Sequence, residues 1–169
     1  MNSRLQFLLE SLRKLLRRNA ISRVKKVLNK SRNEDVASVM RYLDDSQRHQ
    51  VFDLLSTDED RSETLAELDE NLFVEVVTAR PVENMAQIIS LMSVDDQTNL
   101  LSHLPEDLKV EILSLLNPED VAELKEMLDY DRETAAGIMS TEFFSLSENS
   151  TCAEAINELQ HAQDVEMAF

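Results

Sequence analysis

This chain of 169 residues has one glycine, three prolines, one cysteine and no tryptophan, and each scarcity removes a class of protein. A single glycine cannot build a phosphate-cradling loop or a dinucleotide-binding turn, which need several positions of close backbone approach. The lone thiol, Cys152, rules out an intramolecular disulfide framework and suits a reducing compartment. No stretch approaches the ~20 apolar residues that span a bilayer, and the N-terminus lacks the apolar core of a secretory signal, so the sequence predicts a soluble chain. The histidines His49, His103 and His161 are far apart, without metal-ligand spacing or a His-Glu-x-x-His cluster, and each reads as a surface or packing residue. No enzymatic activity is expected.

What is present is acid and aliphatic side chain. A hydrophobic share of 43% is enough for a real core and too high for a disordered chain. The net charge of −16 hides an asymmetry: residues 1–32 hold ten Lys/Arg against Glu10 alone, whereas residues 33–169 carry a balance of −25. So acidic a body repels nucleic acid and attracts cations. A divalent ion that offset its mutually repelling carboxylates would stabilise the compact state.

Polar or proline helix starts recur near Asn33, Ser46, Thr57, Asp69, Pro81, Ser93, Pro105 and Asn117, each followed by an apolar helical pattern. The spacing of about 12 residues makes a helix pair of about 24, within the period of helical solenoids. Pro81-Val-Glu-Asn, Pro105-Glu-Asp-Leu and Asn117-Pro118-Glu-Asp-Val are near copies, with proline expected in the first turn and acids at the positive end of the helix dipole. The core candidates are Val36, Val39, Met40 and Leu43; Met85, Ile88, Ile89 and Met92; Leu108, Ile112, Leu115 and Leu116; and Val121, Leu124 and Leu128. Methionine among them reads as core filler. Helices this short cannot stand alone in water, so the prediction is an all-α superhelical array of short antiparallel helices, its hand left open.

Ahead of the array, Leu5, Leu8, Leu9, Leu12, Leu15 and Leu16 line one face of a helix that elsewhere carries Arg4, Arg13, Lys14, Arg17 and Arg18. A basic amphipathic helix can lie on an anionic membrane or dock on an acidic partner. The favoured reading packs the Leu stripe on the array and leaves the bases to water or the acidic body. After Gly137 the pattern changes: Phe143-Phe-Ser-Leu146 is a strand candidate, Ser147-Glu-Asn-Ser150 a turn and Thr151–Leu159 a capped helix.

The stretch from Leu128 to Glu142, with Tyr130 followed by Ala136-Gly-Ile-Met-Ser-Thr-Glu142, resembles the junction between the helical cytosolic domain and the paired CBS domains of MgtE-type magnesium transporters. The acidic capped helices over residues 33–142 add to the resemblance, although helical arrays of this look also occur in flagellar motor switch proteins and other scaffolds. Charge and periodicity give basic amphipathic N-terminal helices over residues 1–32 and an acidic helical-repeat domain over 33–130, and the resemblance implies a connector over 131–142 and the incomplete strand–helix beginning of a CBS domain over 143–169. It also implies a cytoplasmic regulatory domain of a plasma-membrane protein, with Mg2+ as an interfacial regulatory ion. The implied partners are the CBS and transmembrane domains of the same protein, with homodimerisation through those parts. Contact with the membrane is expected only through the transmembrane domain, and no nucleic acid is expected.

Carried over by position, the metal-facing acids of the family fall on Glu63, in Ser62-Glu-Thr-Leu-Ala-Glu-Leu68, and on Asp95, in Val94-Asp-Asp-Gln-Thr-Asn-Leu100. One turn after Asp95, where the family can offer a second carboxylate, Asn99 supplies a neutral oxygen, which attracts a dication less. Asp96 substitutes only by facing differently, since neighbouring residues do not share a helix face, and both aspartates also serve as helix-start residues without any metal. Asp129, Asp131 and Glu133 form a further acidic knot beside Gly137, ranked below Glu63 and Asp95. The alternative reading is a soluble helical scaffold or partner-binding domain with no metal role, whose acidic face docks a basic protein.

Overall fold

The computed structural model describes residues 3–128, 134, 145–147 and 150–161. The described residues form α1 Ser3–Arg17, α2 Ile21–Leu28, α3 Asn33–Met40, α4 Asp45–Asp53, α5 Asp58–Ala66, α6 Glu70–Thr78, α7 Val82–Ile89, α8 Val94–Leu101, α9 Glu106–Leu115, α10 Pro118–Leu128 and α11 Cys152–His161, with no strand among them.

The array helices begin where side chains satisfy orphan amides. Asp44 accepts from the Gln47 amide, Thr57 from Asp60, Asp69 from Leu72 and Ser93 from Asp96. Ser46, expected as a start, lies inside α4; Asp44 takes the cap because the buried Leu43 immediately before it fixes the entry of the chain. Pro81 and Pro105 stand one position earlier than expected, as extended cap residues with ψ of 134° and 142°. Their locked φ suits that place as well as the first turn.

A chain almost free of glycine must end its helices by other means. At the α1–α2 joint Asn19 takes the left-handed conformation, φ 51°, and donates to Leu16 O at 2.9 Å, while Ala20 donates to Leu15 O at 3.0 Å. This pair of bonds is the Schellman arrangement, with asparagine in the place usually held by glycine. Elsewhere the last turn tightens into a three-residue bond: Leu43 to Met40 O, Leu55 to Phe52 O, Leu68 to Leu65 O, Met92 to Ile89 O and Leu104 to Leu101 O. Each of those five donors is buried, so every such connection is pinned by an apolar side chain.

Helices two apart in sequence stack on one another, α1 on α3, α3 on α5, α5 on α7, α7 on α9, and α8 on α10. One apolar core runs unbroken from Leu8 to Leu124. Leu8, Leu9, Leu12 and Leu16 of α1 belong to it, as the Leu stripe requires. The methionines Met40, Met85, Met92 and Met127 are buried in agreement with their reading as core. Leu115 departs from expectation: it is 48% exposed, because the last turn of α9 gives its buried position to Leu116.

The acidic knot Asp129, Asp131 and Glu133, most of the junction stretch with Gly137, and Phe143 and Phe144 of the strand candidate lie outside the described residues. Ser145 and Leu146 are not in a strand. The turn that follows is closed by Ser150 N to Ser147 O at 3.0 Å. Thr151 then caps α11 reciprocally, its hydroxyl accepting from the Glu154 amide at 3.3 Å while Glu154 accepts from the Thr151 amide at 2.7 Å.

Candidate functional site

The stacking by twos decides where each predicted site residue falls. Glu63 stands on α5, in the row of odd-numbered helices, and is exposed. Its Oε2 accepts from Asn33 Nδ2 of α3 at 2.6 Å, which steadies the side chain and leaves the other carboxylate oxygen toward solvent. Asp95 and Asp96 open α8, in the other row, both half-buried.

The two aspartates are not equivalent. Asp96 completes a reciprocal cap, accepting from the Ser93 hydroxyl at 3.0 Å while its own amide donates to Ser93 Oγ at 3.3 Å. Its carboxylate therefore has structural work in the first turn. Asp95, equally half-buried, has no hydrogen bond or ion pair among the described residues and is the uncommitted carboxylate of the two. Asn99 is exposed one turn further along α8.

No group of three or more Asp, Glu, His or Cys comes together as a metal cluster among the described residues. Glu63 and Asp95 stand on different helices, α5 and α8. Magnesium is a cation that holds most of its waters and binds through one or two carboxylates.

Sequence reasoning missed the network that ties the even row together. Arg48, only 6% exposed, donates from Nε to Met40 O at 3.2 Å and from Nη2 to Leu43 O at 3.0 Å, closing the end of α3. Its Nη1 bonds Asp45 and the carboxylate of Glu75 on α6, which also faces His49 Nε2 at 3.5 Å. Arg80 lies over the Phe52 ring, 4.5 Å from its centroid, and grips Asp53 at 2.7 and 3.0 Å. His103 meets Glu70 at 2.8 Å. The ion pairs between repeats join residues 26–33 apart, one helix pair and a little more, so a search at the repeat spacing is the signal that could have found them.

A cleft of about 350 Å³ beside this network is lined by Asp53, Asp58, Arg61, Arg80 and Gln87. Its charges are internally matched, Arg61 to Asp58 and Arg80 to Asp53, so it offers no surplus of either sign. On α11, Glu154 is held below the usual carboxylate range, first by the Thr151 amide and then by the Thr151 hydroxyl.

Comparison with known proteins places this architecture. The family model of the MgtE intracellular N domain matches residues 31–133. The crystal structure of the soluble part of a magnesium transporter superimposes with a TM-score of 0.79 at 24% identity, over 96% of this chain and 64% of that one. The crystal structure of the cytosolic domain of the Mg2+ channel MgtE in complex with ATP gives 0.82 at 24% identity, over 94% of this chain and 65% of that one. The chain therefore spans just under two thirds of either structure. No curated protein matches the chain.

Proposed function

The chain belongs to the MgtE intracellular N domain family, and from that premise we propose that it is a non-catalytic, magnesium-sensing regulatory domain of a magnesium transporter. The observation that carries the reading is the pairing of this fold with an acidic body whose Asp95 presents an uncommitted carboxylate beside a neighbour, Asp96, already used for capping. Glu63, steadied by Asn33, is the second position.

Each of the two acids would hold one edge of a hydrated magnesium ion, with Asn99 adding a neutral oxygen near Asp95. When bound, the ion supplies positive charge that offsets carboxylate repulsion at a seam. The chain's own part is to present those oxygens on helices fixed by their packing, Asp95 in the first turn of α8 and Glu63 further along α5, so that a second domain meeting them completes the coordination. In this reading the CBS domains of the same polypeptide provide that second surface, the connector and CBS beginning occupy residues 131–142 and 143–169, and the paired assembly sits on the cytoplasmic side of the membrane. Regulation then needs only that the ion bind the closed arrangement better than the open one.

The test is a magnesium titration at constant ionic strength of the chain continued through its CBS pair, followed by protease resistance and scattering radius. The expected result is compaction in the millimolar range, with the midpoint raised several-fold in Glu63→Gln and Asp95→Asn and unmoved in Asp96→Asn once its lower stability is allowed for. Calcium and magnesium acting only as equal, weak screens, indifferent to all three substitutions, would assign the domain to the metal-free scaffold reading instead.

A further inference from the structure

Among the cations of the first two helices, Arg4 pairs with Asp35 and Arg13 donates to Tyr42 O; the magnesium reading uses none of them. The Leu stripe of α1 is consumed by the core, with Leu12 fully buried and Leu16 7% exposed, so this helix cannot lie with its apolar face in a membrane. What it leaves outward is a different surface. At 3.6 residues per turn Arg4, Phe7 and Lys14, with Arg18 just past the helix end, fall within a sector of about 80° that flanks that stripe, and all four are exposed. Phe7 is 74% exposed, the most open large apolar side chain among the described residues.

Beside that sector, α1 and α2 enclose a groove of about 480 Å³ with Phe7 and Val27 in its wall and Arg23, Lys26 and Lys30 along its α2 side. Arg4 at its edge pairs with Asp35 at 2.7 Å; Arg23, Lys26 and Lys30 have no acidic partner among the described residues. Such a surface is wide, basic and topped by one aromatic ring.

We propose that this face docks on an anionic phospholipid bilayer, the cations meeting headgroup phosphates and Phe7 entering the interface. Charge decides the orientation. With ten cations to one acid in residues 1–32 and a balance of −25 beyond them, only this end of the array can approach a negative surface. Salt screens the acidic body beyond about 8 Å, so its repulsion does not cancel the attraction at the basic end. A single acidic helix would satisfy the groove but not the Lys14 and Arg18 side of the same face, whereas a plane of phosphates meets both. Packing the Leu stripe inward and docking the exposed face beside it are compatible, and the contact is one of the folded domain, not of a free amphipathic segment.

The experiment is co-sedimentation of the 169-residue chain, in chelator, with vesicles of phosphatidylcholine alone or mixed with phosphatidylglycerol. Expected are binding to the mixed vesicles only, weakening with salt, and a fall on the order of a hundredfold in the Arg23→Gln/Lys26→Gln/Lys30→Gln variant, since each cation near an anionic surface is worth about fivefold. Phe7→Ser should weaken binding while leaving its salt dependence unchanged. Those three residues and Phe7 are exposed, and an unaltered thermal melt confirms that each variant is folded. Absence of binding to the mixed vesicles at low salt, equal binding by the triple variant, or displacement by soluble glycerol phosphate at concentrations that leave vesicle charge unchanged would overturn the proposal. Self-association abolished by the triple variant, without lipid binding, would give the face to a second copy and overturn it as well. Because magnesium is chelated throughout, either outcome is independent of the sensing reading.

Discussion

Arg48 on α4 reaches across one repeat to the carboxylate of Glu75 on α6 while its other nitrogens close the carbonyl end of α3, so one buried guanidinium joins three helices. Removing it strands two carbonyls and a carboxylate at once. Arg48→Ala should cost about 3 kcal/mol of stability in urea unfolding, and Arg48→Lys should recover little, because an ammonium cannot reproduce the planar fork. A loss below about 0.5 kcal/mol would mean that the bonds are replaced by water.

Thr64 is fully buried on α5 and its hydroxyl has no hydrogen-bond partner among the described residues. Thr64→Val should therefore be neutral or stabilising by about 1 kcal/mol in the same measurement, since it removes an unpaired polar group at similar volume. Clear destabilisation would show that the hydroxyl is satisfied in solution.

Leu12 is fully buried at the centre of the Leu stripe. If α1 is an integral end of the array, Leu12→Ala should lower stability by about 2 to 5 kcal/mol, the ordinary range for a buried leucine truncated to a cavity. An unchanged unfolding curve would make α1 an appendage.

Glu154 supplies a pH dependence confined to α11. Its folded pKa is lowered, so the stabilisation is fully present above the unfolded value of 4.5 and is lost as pH falls through the lowered folded value. The amide of Thr151 should report this as a chemical-shift titration with an apparent pKa below 4.5, abolished in Glu154→Gln. A midpoint at or above the ordinary value would remove the reciprocal cap.

The starts of the helices were legible because a cap is local: Thr57, Asp69 and Ser93 declare themselves by residue type and by the apolar pattern that follows. Position 44 to 46 was less so, since Asp44, Asp45 and Ser46 are all good caps and burial of Leu43 decides among them. Arg48 and Arg80 were illegible for the opposite reason. Their partners lie a repeat away, and an acidic total invites an argument from repulsion, whereas Asp53, Asp58 and Glu75 are each held by an arginine. For the site, nothing local sets Asp95 apart from other acids in first turns; the family resemblance singled it out, and the cap at Asp96 separated the pair.

Stacking by twos makes the array a one-dimensional object: α5 touches α3 and α7 and is indifferent to α9 except through them. Cooperativity in such a stack is handed from neighbour to neighbour, so melting starts as fraying at whichever terminus is less well clasped, and a lesion in the middle divides the column into two shorter, weaker pieces.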